Sequence, residues 1–319
     1  METTLDPNFE EQLKSLEKEI RLHCYRLTGS LQDSEDMLQE SLIKAWKKRD
    51  TLNDEARLRP WLYRIATNVC LDQLKHQKRR QISPAYLPAA DPNRPFPAPD
   101  MGAAWIEPYP DQWLPGEGGE PERQILESES VSLAFLTSIQ YLAPQQRAAL
   151  ILVDVLDWSA EETAEMLGKS LSSVNSLLYR ARRKLRDQGG QSTKTSISAE
   201  EQQALLNQYM SAWESSDAEA LSRLLTEDAI FHMPPFPAWY SGRVAIREMV
   251  EGQLFIDAEN VHWSLRGFAA NGQAGFLLYR QAEIAADLLF GLMVLRFEGS
   301  AIAEITAFLD PRLLASFSE

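Results

Sequence analysis

The residues with the clearest chemistry lie between about Ser170 and Arg186. Apolar residues recur there at helical spacing, and form one continuous stripe: Val174, Leu177, Leu178, Ala181 and Leu185. The remaining positions hold small polar side chains first and arginines later. Hydroxyl and amide groups can hydrogen-bond to base edges, and arginine can neutralise phosphates. This helix face therefore carries the chemistry needed to contact DNA.

Two further helices are predicted before this one. Pro144 opens the first, which runs through Val155. The second is shorter and starts at Ser159, which stands three residues before Glu162, the spacing of a capping box. Gly168 ends the short helix. Two helices joined by a glycine turn, the second polar and then basic, are typical of a helix-turn-helix. The alternative is a surface amphipathic helix whose charges are only solvated.

The chain as a whole suits a multidomain protein. At 319 residues, two or three domains are expected. The net charge of −14 argues against non-specific attraction to DNA. Net charge is +1 over residues 1–85, −7 over 86–130, +2 over 131–195 and −10 over 196–319. The near-neutral segments with local basic clusters are therefore the candidates for DNA contact.

Neither a secretory signal nor a membrane span is evident. The start at Met1 lacks a basic-then-apolar opening, and the apolar run near Ile284 to Phe297 is interrupted by charges. Cys24 and Cys70 have no neighbour at metal-ligand spacing, so we expect reduced thiols, no metal site, no cofactor and a cytoplasmic location.

Three helices are expected before residue 81. Phe9 to Thr28 has helical periodicity and ends at Gly29, and a second helix over Ser34 to Lys48, capped by Asp33, has an acidic exposed face. The third helix runs from Trp61 to about Lys78. Its basic residues are interleaved with aromatic ones, a combination that suits unpaired bases.

Two segments here resemble a known family. The runs DSEDMLQESLIKAW from Asp33 and RPWLYRIATNVCLDQL from Arg59 resemble region 2 of bacterial sigma factors of the extracytoplasmic-function type. The run SLSSVNSLLYRARRKL from Ser170 resembles region 4 of the same proteins. These sigma factors belong to the sigma-70 family. The two motifs cover about half of the chain, in the family's order and at its separation.

The resemblance implies partners and roles. The acidic helix would contact the β′ clamp helices of core RNA polymerase through Asp36, Gln39 and Glu40. The loop and helix that follow would hold and melt the −10 promoter element; the residues implied are Arg57, Arg59, Arg64, Asn68 and Lys75. The last helix would read the −35 element; the residues implied are Ser173, Asn175, Ser176, Tyr179, Arg180 and Arg183. A sigma factor needs no catalytic residues for this work.

The segment from Ile82 to about Glu120 is rich in proline and glycine and too long for an ordinary connection. A disordered tether is one interpretation. Trp105, Tyr109 and Trp113 favour a linker that docks on something, and in sigma factors the linker passes near the polymerase active site. Residues 121–142 are expected to form the helix leading into region 4.

The last third predicts an α+β cone. Helices over Ser198 to Leu225 precede four segments with strand alternation, and Asn271-Gly272 marks a hairpin turn. This order, and the WYSGRVAI segment at Trp239, resemble SnoaL-like, NTF2-like domains, which usually enclose a pocket. The residues that we expect to line it, and to hold a small-molecule ligand if there is one, are His232, Trp239, Tyr240, His262 and Tyr279.

The fold class expected is therefore multidomain: two all-α sigma domains followed by an α+β NTF2-like cone. The domains expected are residues 1–81 (region 2), 82–120 (linker), 121–190 (region 4) and 197–319 (regulatory cone). The function expected is promoter-specific transcription initiation with core RNA polymerase, modulated by the cone. Two alternatives stay open: a ligand-responsive helix-turn-helix regulator, and an NTF2-like isomerase or cyclase fused to a DNA-binding module.

Overall fold

The computed structural model describes residues 7–52, 54–82, 87–115, 128–187, 198–282 and 288–317. The chain divides into two compact units. One contains Met1–Arg80 with Pro108–Gln191, and the other contains Gln81–Glu107 with Ser192–Glu319. The segment between the two motifs is thus shared by the units, with residues 81–107 belonging to the second.

Three helices form the first part of unit 1. They are α1 (Pro7–Thr28), α2 (Leu31–Lys47) and α3 (Leu58–Leu74). Gly29 follows α1 with φ +70°, as a helix-ending glycine should. The cap of α2 is Ser30, whose hydroxyl accepts from the Asp33 amide, so the expectation that Asp33 caps this helix was wrong. The Asp33 carboxylate is instead paired with Arg80 and Gln77.

The helices whose bounds are described in the second part of unit 1 follow in chain order. They are α4 (Leu133–Gln140), α5 (Pro144–Leu150), α6 (Ala160–Leu167) and α7 (Leu171–Asp187), and one π-helical turn (Ile151–Val155) extends α5. The capping box of Ser159 and Glu162 is confirmed, and Gly168 adopts φ +61° after α6. Of the helix expected over residues 121–142, only the part from residue 128 is described. There a turn at Ser130–Ser132 interrupts it, and α4 begins anew with its own cap at Ser132.

Buried arginines hold the two parts of unit 1 together. Arg147 on α5 is 4% exposed and donates to the main-chain oxygens of Leu27, Ile139 and Gln140 at 2.5, 3.1 and 3.3 Å. Arg26 on α1 donates to the Ser130 hydroxyl at 2.7 Å. Helices α3 and α6 also contact each other. Regions 2 and 4 therefore pack as one body in this unit.

Unit 2 is an α+β domain. Helices α8 (Ala199–Glu214), α9 (Ala218–Arg223) and α10 (Arg243–Met249) pack on one face of a six-stranded sheet, and a short α11 (Pro311–Leu314) lies near the end of the chain. The strands are β1 (Leu225–His232), β2 (Trp239–Ser241), β3 (Val261–Ala270), β4 (Gln273–Ala282), β5 (Leu288–Glu298) and β6 (Ala301–Phe308).

The sheet order is β2-β1-β6-β5-β4-β3, and β1 pairs with β6 in parallel while the other pairs are antiparallel. Asn271 and Gly272 join β3 to β4 with φ of 60° and 65°, which confirms the predicted hairpin turn. Large aromatic side chains fill the space between helices and sheet, among them Tyr209, Trp213 and Phe276.

Replacing Arg147 should test how much the buried guanidinium stabilises unit 1. In Arg147→Ala, three buried carbonyls lose a charged donor, so the free energy of unfolding should fall by about 2–4 kcal/mol. Arg183→Ala is the control, because Arg183 is exposed and its ion pair is worth under about 1 kcal/mol. Urea denaturation measures both; equal losses in the two variants would contradict this role for Arg147.

Candidate nucleic-acid interface

Helix α7 presents one exposed polar face along most of its length. All six residues expected to contact the −35 element are exposed there, including Tyr179 at 61%. The opposite side of α7 is buried through Val174, Leu177, Leu178 and Ala181. The structure thus brings the six side chains together on one accessible surface, at the N-terminal and central turns of a helix whose other face is fixed.

Contacts at the two edges of the buried stripe fix the orientation of α7. Arg182 forms a two-pronged ion pair with Asp154 on the π-helical turn, at 2.5 and 3.0 Å. Lys184 donates to the Tyr141 carbonyl at 2.5 Å. These two basic side chains are therefore used inside region 4, which separates them from Arg180 and Arg183 on the outer face.

Two of the expected −10 residues line a cavity beside α3. Arg64 and Asn68 lie one helical turn apart, and the Asn68 amide donates to the Arg64 carbonyl at 2.9 Å. Together with Trp61, Lys44 and other side chains they surround a cavity of about 700 Å³. A cavity with an indole, a guanidinium and an amide has the groups that stack on and hydrogen-bond to an unpaired base.

The other three −10 candidates have different surroundings. Arg59 pairs with Glu19 at 2.8 Å and lies over the rings of Tyr63 and Trp158 at 5.2 and 5.9 Å. Lys75 pairs with Asp72, and Arg57 is exposed at the start of α3. Arg59 therefore has a packing role that the sequence did not reveal.

A second cavity, of about 410 Å³, is lined from both parts of unit 1. Region 2 contributes Arg57, Trp61 and Arg64, and region 4 contributes Trp158 and the α6 side chains Glu162 and Glu165. Acidic groups of region 4 thus share a cavity with basic groups expected to hold DNA. The sequence analysis missed this pairing, because the contact joins residues about 100 positions apart.

The three polymerase candidates lie on one face of α2. Asp36, Gln39 and Glu40 are exposed, and Ile43, one turn further, is 54% exposed. Glu40 forms an ion pair with Lys44 at 2.6 Å. An exposed isoleucine next to acidic groups at helical spacing is a surface suited to a basic, partly apolar partner.

The five candidate pocket residues of unit 2 do not surround one cavity. Tyr240 packs in the core between helices and sheet. Strand alternation and register place His232, Trp239, His262 and Tyr279 on the opposite face of the sheet, where His262 is exposed and Tyr279 lies under Arg266. The two histidines are on strands β1 and β3, which are separated by three other strands.

His232 belongs to a polar cluster on that outer face. Its Nε2 lies 3.4 Å from a Glu304 carboxylate oxygen, and Glu304 accepts from Arg296 at 3.0 Å. Burial opposes the charged carboxylate, but hydrogen bonds from His232 and Arg296 lower the pKa of Glu304. Among the described residues, no group of three or more His, Cys, Asp or Glu side chains could hold a metal ion.

Within the described residues, no helix combines the length and apolar character of a membrane span.

The fold and the exposed face of α7 define a helix-turn-helix protein carrying an α+β cone domain.

Comparison with known proteins agrees with this class. Family models for Sigma-70 region 2, Sigma-70 region 4 and the SnoaL-like domain match residues 13–80, 132–185 and 206–305. The ECF RNA polymerase sigma factor SigG of Mycobacterium tuberculosis is 37% identical over 314 residues, which cover 97% of this chain and 83% of SigG. The chain therefore belongs to the ECF RNA polymerase sigma factors.

One further relative matches this chain in both sequence and structure. The ECF RNA polymerase sigma factor SigJ of M. tuberculosis is 24% identical over 226 residues, covering 69% of this chain and 63% of SigJ. A crystal structure of SigJ superposes with a TM-score of 0.60 over 96% of this chain and 98% of that one, at 18% identity. The fold is thus shared, with helical sigma domains preceding a SnoaL-like domain.

A buried histidine gives region 2 a defined pH dependence. His23 on α1 is fully buried, hydrogen-bonded to Thr67 at 2.8 Å, and burial, with the nearby Arg26 charge, lowers its pKa from 6.5 to about 3. Between these pH values the unfolded chain binds a proton that the folded chain excludes. The free energy of unfolding should therefore fall by about 1.4 kcal/mol for each pH unit below 6.5.

Urea denaturation at pH 7 and pH 5 measures this effect. From pH 7 to pH 5, the free energy of unfolding should fall by about 2 kcal/mol more in the wild-type chain than in His23→Gln. Glutamine keeps a hydrogen-bond partner for Thr67 but cannot titrate. Equal losses in both chains would show that other groups cause the acid sensitivity.

Proposed function

We propose that this sigma factor uses three exposed surfaces in initiation: the acidic face of α2 for core RNA polymerase, the α3 cavity for the −10 element, and the outer face of α7 for the −35 element. The observation that carries the proposal is the α7 face, where six polar, aromatic and basic side chains project from a helix whose other side is buried. Hydroxyl, amide and guanidinium groups at such spacing match the edges and phosphates of a major groove.

The cavity beside α3 supports a role in promoter melting. Flipping a base out of the duplex costs a few kcal/mol, and stacking and hydrogen bonds in a pocket must recover that cost. Trp61, Arg64 and Asn68 offer these contacts at about 700 Å³, which is room for one base. Arg57 stands at the mouth of the neighbouring cavity, where it can attract phosphates.

Binding both promoter elements requires the two parts of unit 1 to separate. Elements centred about 25 base pairs apart lie roughly 85 Å apart along B-DNA, whereas about 160 residues packed as one body have a radius of gyration near 15 Å. In this unit α6 contacts α3, and Glu162 and Glu165 face the cavity of Arg57 and Arg64. In this closed arrangement the two glutamates repel DNA from the −10 surface, until the contact between α6 and α3 is broken.

The C-terminal domain is proposed to modulate this activity. Residues 196–319 have the most negative net charge of the four segments, −10, and the domain also holds part of the segment between regions 2 and 4. A domain that holds the linker can influence when regions 2 and 4 separate from each other.

Reversing a charge on the α2 face tests the polymerase contact. Asp36→Lys should weaken binding to core RNA polymerase at least tenfold, since Asp36 is exposed and its loss leaves the fold intact. Glu11→Lys, an exposed acidic position on α1, is the matched control and should bind normally. Fluorescence anisotropy with labelled chain and purified core enzyme measures both; unchanged affinity of Asp36→Lys would exclude this face.

Substitutions on α7 should separate base reading from phosphate contact. On a promoter selected with the wild-type holoenzyme, Asn175→Ala should cost about 1–3 kcal/mol and relax preference at one position, whereas Arg183→Ala should weaken all sequences alike and lower the salt slope by about 1.

Arg182→Ala is the control for these variants, because its side chain is held by Asp154 on the π-helical turn after α5. Promoter-binding titrations at several salt concentrations give the slopes. If Arg182→Ala lowered the slope as much as Arg183→Ala, the outer face of α7 would not be the DNA surface.

A further inference from the structure

Fourteen residues of the inter-region segment lie on the C-terminal domain in a largely extended form, interrupted by one turn at which the Arg94 amide donates to the Asp91 carbonyl at 3.2 Å. This stretch, residues 87–100 with the sequence LPAADPNRPFPAPD, is called the strap below. It contains five prolines and no regular helix or strand. Proline-rich segments already favour the extended polyproline conformation, so they lose little entropy when they bind.

The strap covers the free edge of the sheet. Strand β2 is an edge strand, and its Trp239 carbonyl accepts from the Ala90 amide at 2.8 Å. The Trp239 indole nitrogen donates back to the Leu87 carbonyl at 3.1 Å. The strap thus satisfies polar groups that a bare edge strand would expose, which is how strand-edge recognition of peptides works.

Further contacts continue along the turn before β2 and along the turn after α10. The Asp100 amide donates to the Pro235 carbonyl at 2.8 Å, and the Gln253 side chain donates to the Pro92 carbonyl at 3.1 Å. The Phe96 ring lies 5.9 Å from that of Phe236, and both pack against the domain core. Trp239, Phe236 and Gln253 therefore define a groove, which we call the strap groove.

The strap groove makes its hydrogen bonds to main-chain atoms of the strap and takes one aromatic side chain. Most strap side chains stay exposed, including Pro88, Asp91, Arg94 and Pro99. Recognition of this kind reads a largely extended backbone and one aromatic anchor.

We propose that the C-terminal domain is a peptide-binding module for extended, proline-rich segments, and that the strap is its ligand within the same chain. While the strap is bound, these residues are not available as a free connection between regions 2 and 4. When it leaves, the groove opens and the linker gains 14 residues of reach. The binding itself does not depend on the promoter and polymerase contacts proposed above.

A full-length variant with residues 87–100 replaced by glycine and serine tests the groove directly. A labelled peptide of the strap sequence should bind this variant at least tenfold more tightly than the wild-type chain, whose groove is occupied. The same peptide with Phe96→Ala should bind at least tenfold more weakly. With Arg94→Ala it should bind unchanged, because the Arg94 side chain is 83% exposed and contacts only Asp91 of the strap itself at 3.5 Å. Absence of binding by a variant whose circular dichroism matches that of the wild type overturns the proposal.

Amide exchange in the intact wild-type chain provides a second measurement. The Ala90 and Asp100 amides should exchange at least a hundredfold more slowly than in the free peptide, because both are donors to the domain. Phe96→Ala should speed both at least tenfold, and Arg94→Ala should leave them unchanged. Exchange at the free-peptide rate in the wild-type chain overturns the proposal even if the replaced variant fails to fold.

Discussion

The buried guanidinium of Arg147 is the contact on which the arrangement of unit 1 depends. It reaches three main-chain oxygens, one at the end of α1 and two at the end of α4, from a position on α5. Burial lowers its pKa only to about 10, so the group stays charged at neutral pH and needs these acceptors. Since α1 lies in the first part of unit 1 and α5 precedes the helix-turn-helix of α6 and α7, one side chain couples the two parts of unit 1.

This coupling leaves the two proposed DNA surfaces in different surroundings. The face of α7 is open, with its basic side chains divided between an inner pair, Arg182 and Lys184, and an outer pair, Arg180 and Arg183. The −10 surface is shared with the acidic side of α6. Glu162 and Glu165 line the same cavity as Arg57 and Arg64, so acidic groups of one part lie near basic groups of the other.

Features encoded locally could be predicted from the sequence. The capping box at Ser159, the left-handed Gly168, the apolar stripe of α7 and the turn at Asn271-Gly272 each depend on a few neighbouring residues, and the structure has all of them. The cap at Ser30 was missed because serine and aspartate are both preferred N-cap residues, and Asp33 stands only three residues after Ser30. The Asp33 carboxylate instead accepts from Arg80, which is distant in sequence.

Features that depend on distant contacts could not be predicted. The pocket proposed for the cone required knowing which face each strand residue takes, and four of the five residues lie opposite the core. The docking of the proline-rich segment was expected in general terms, but its binding surface is formed by residues such as Trp239 and Phe236, about 140 positions later. The role of Arg59 in packing against Trp158 arises in the same way.

The strap also means that the C-terminal domain is discontinuous along the chain. Its fold includes residues 81–107 as well as those from 192 onward, with the whole of region 4 inserted between the two pieces. Gene fusion at a single junction near residue 197 would therefore transfer the cone without the segment that seals the edge of β2. Exchange of this domain between proteins would require the linker to move with it, so linker and cone should have changed together as a pair.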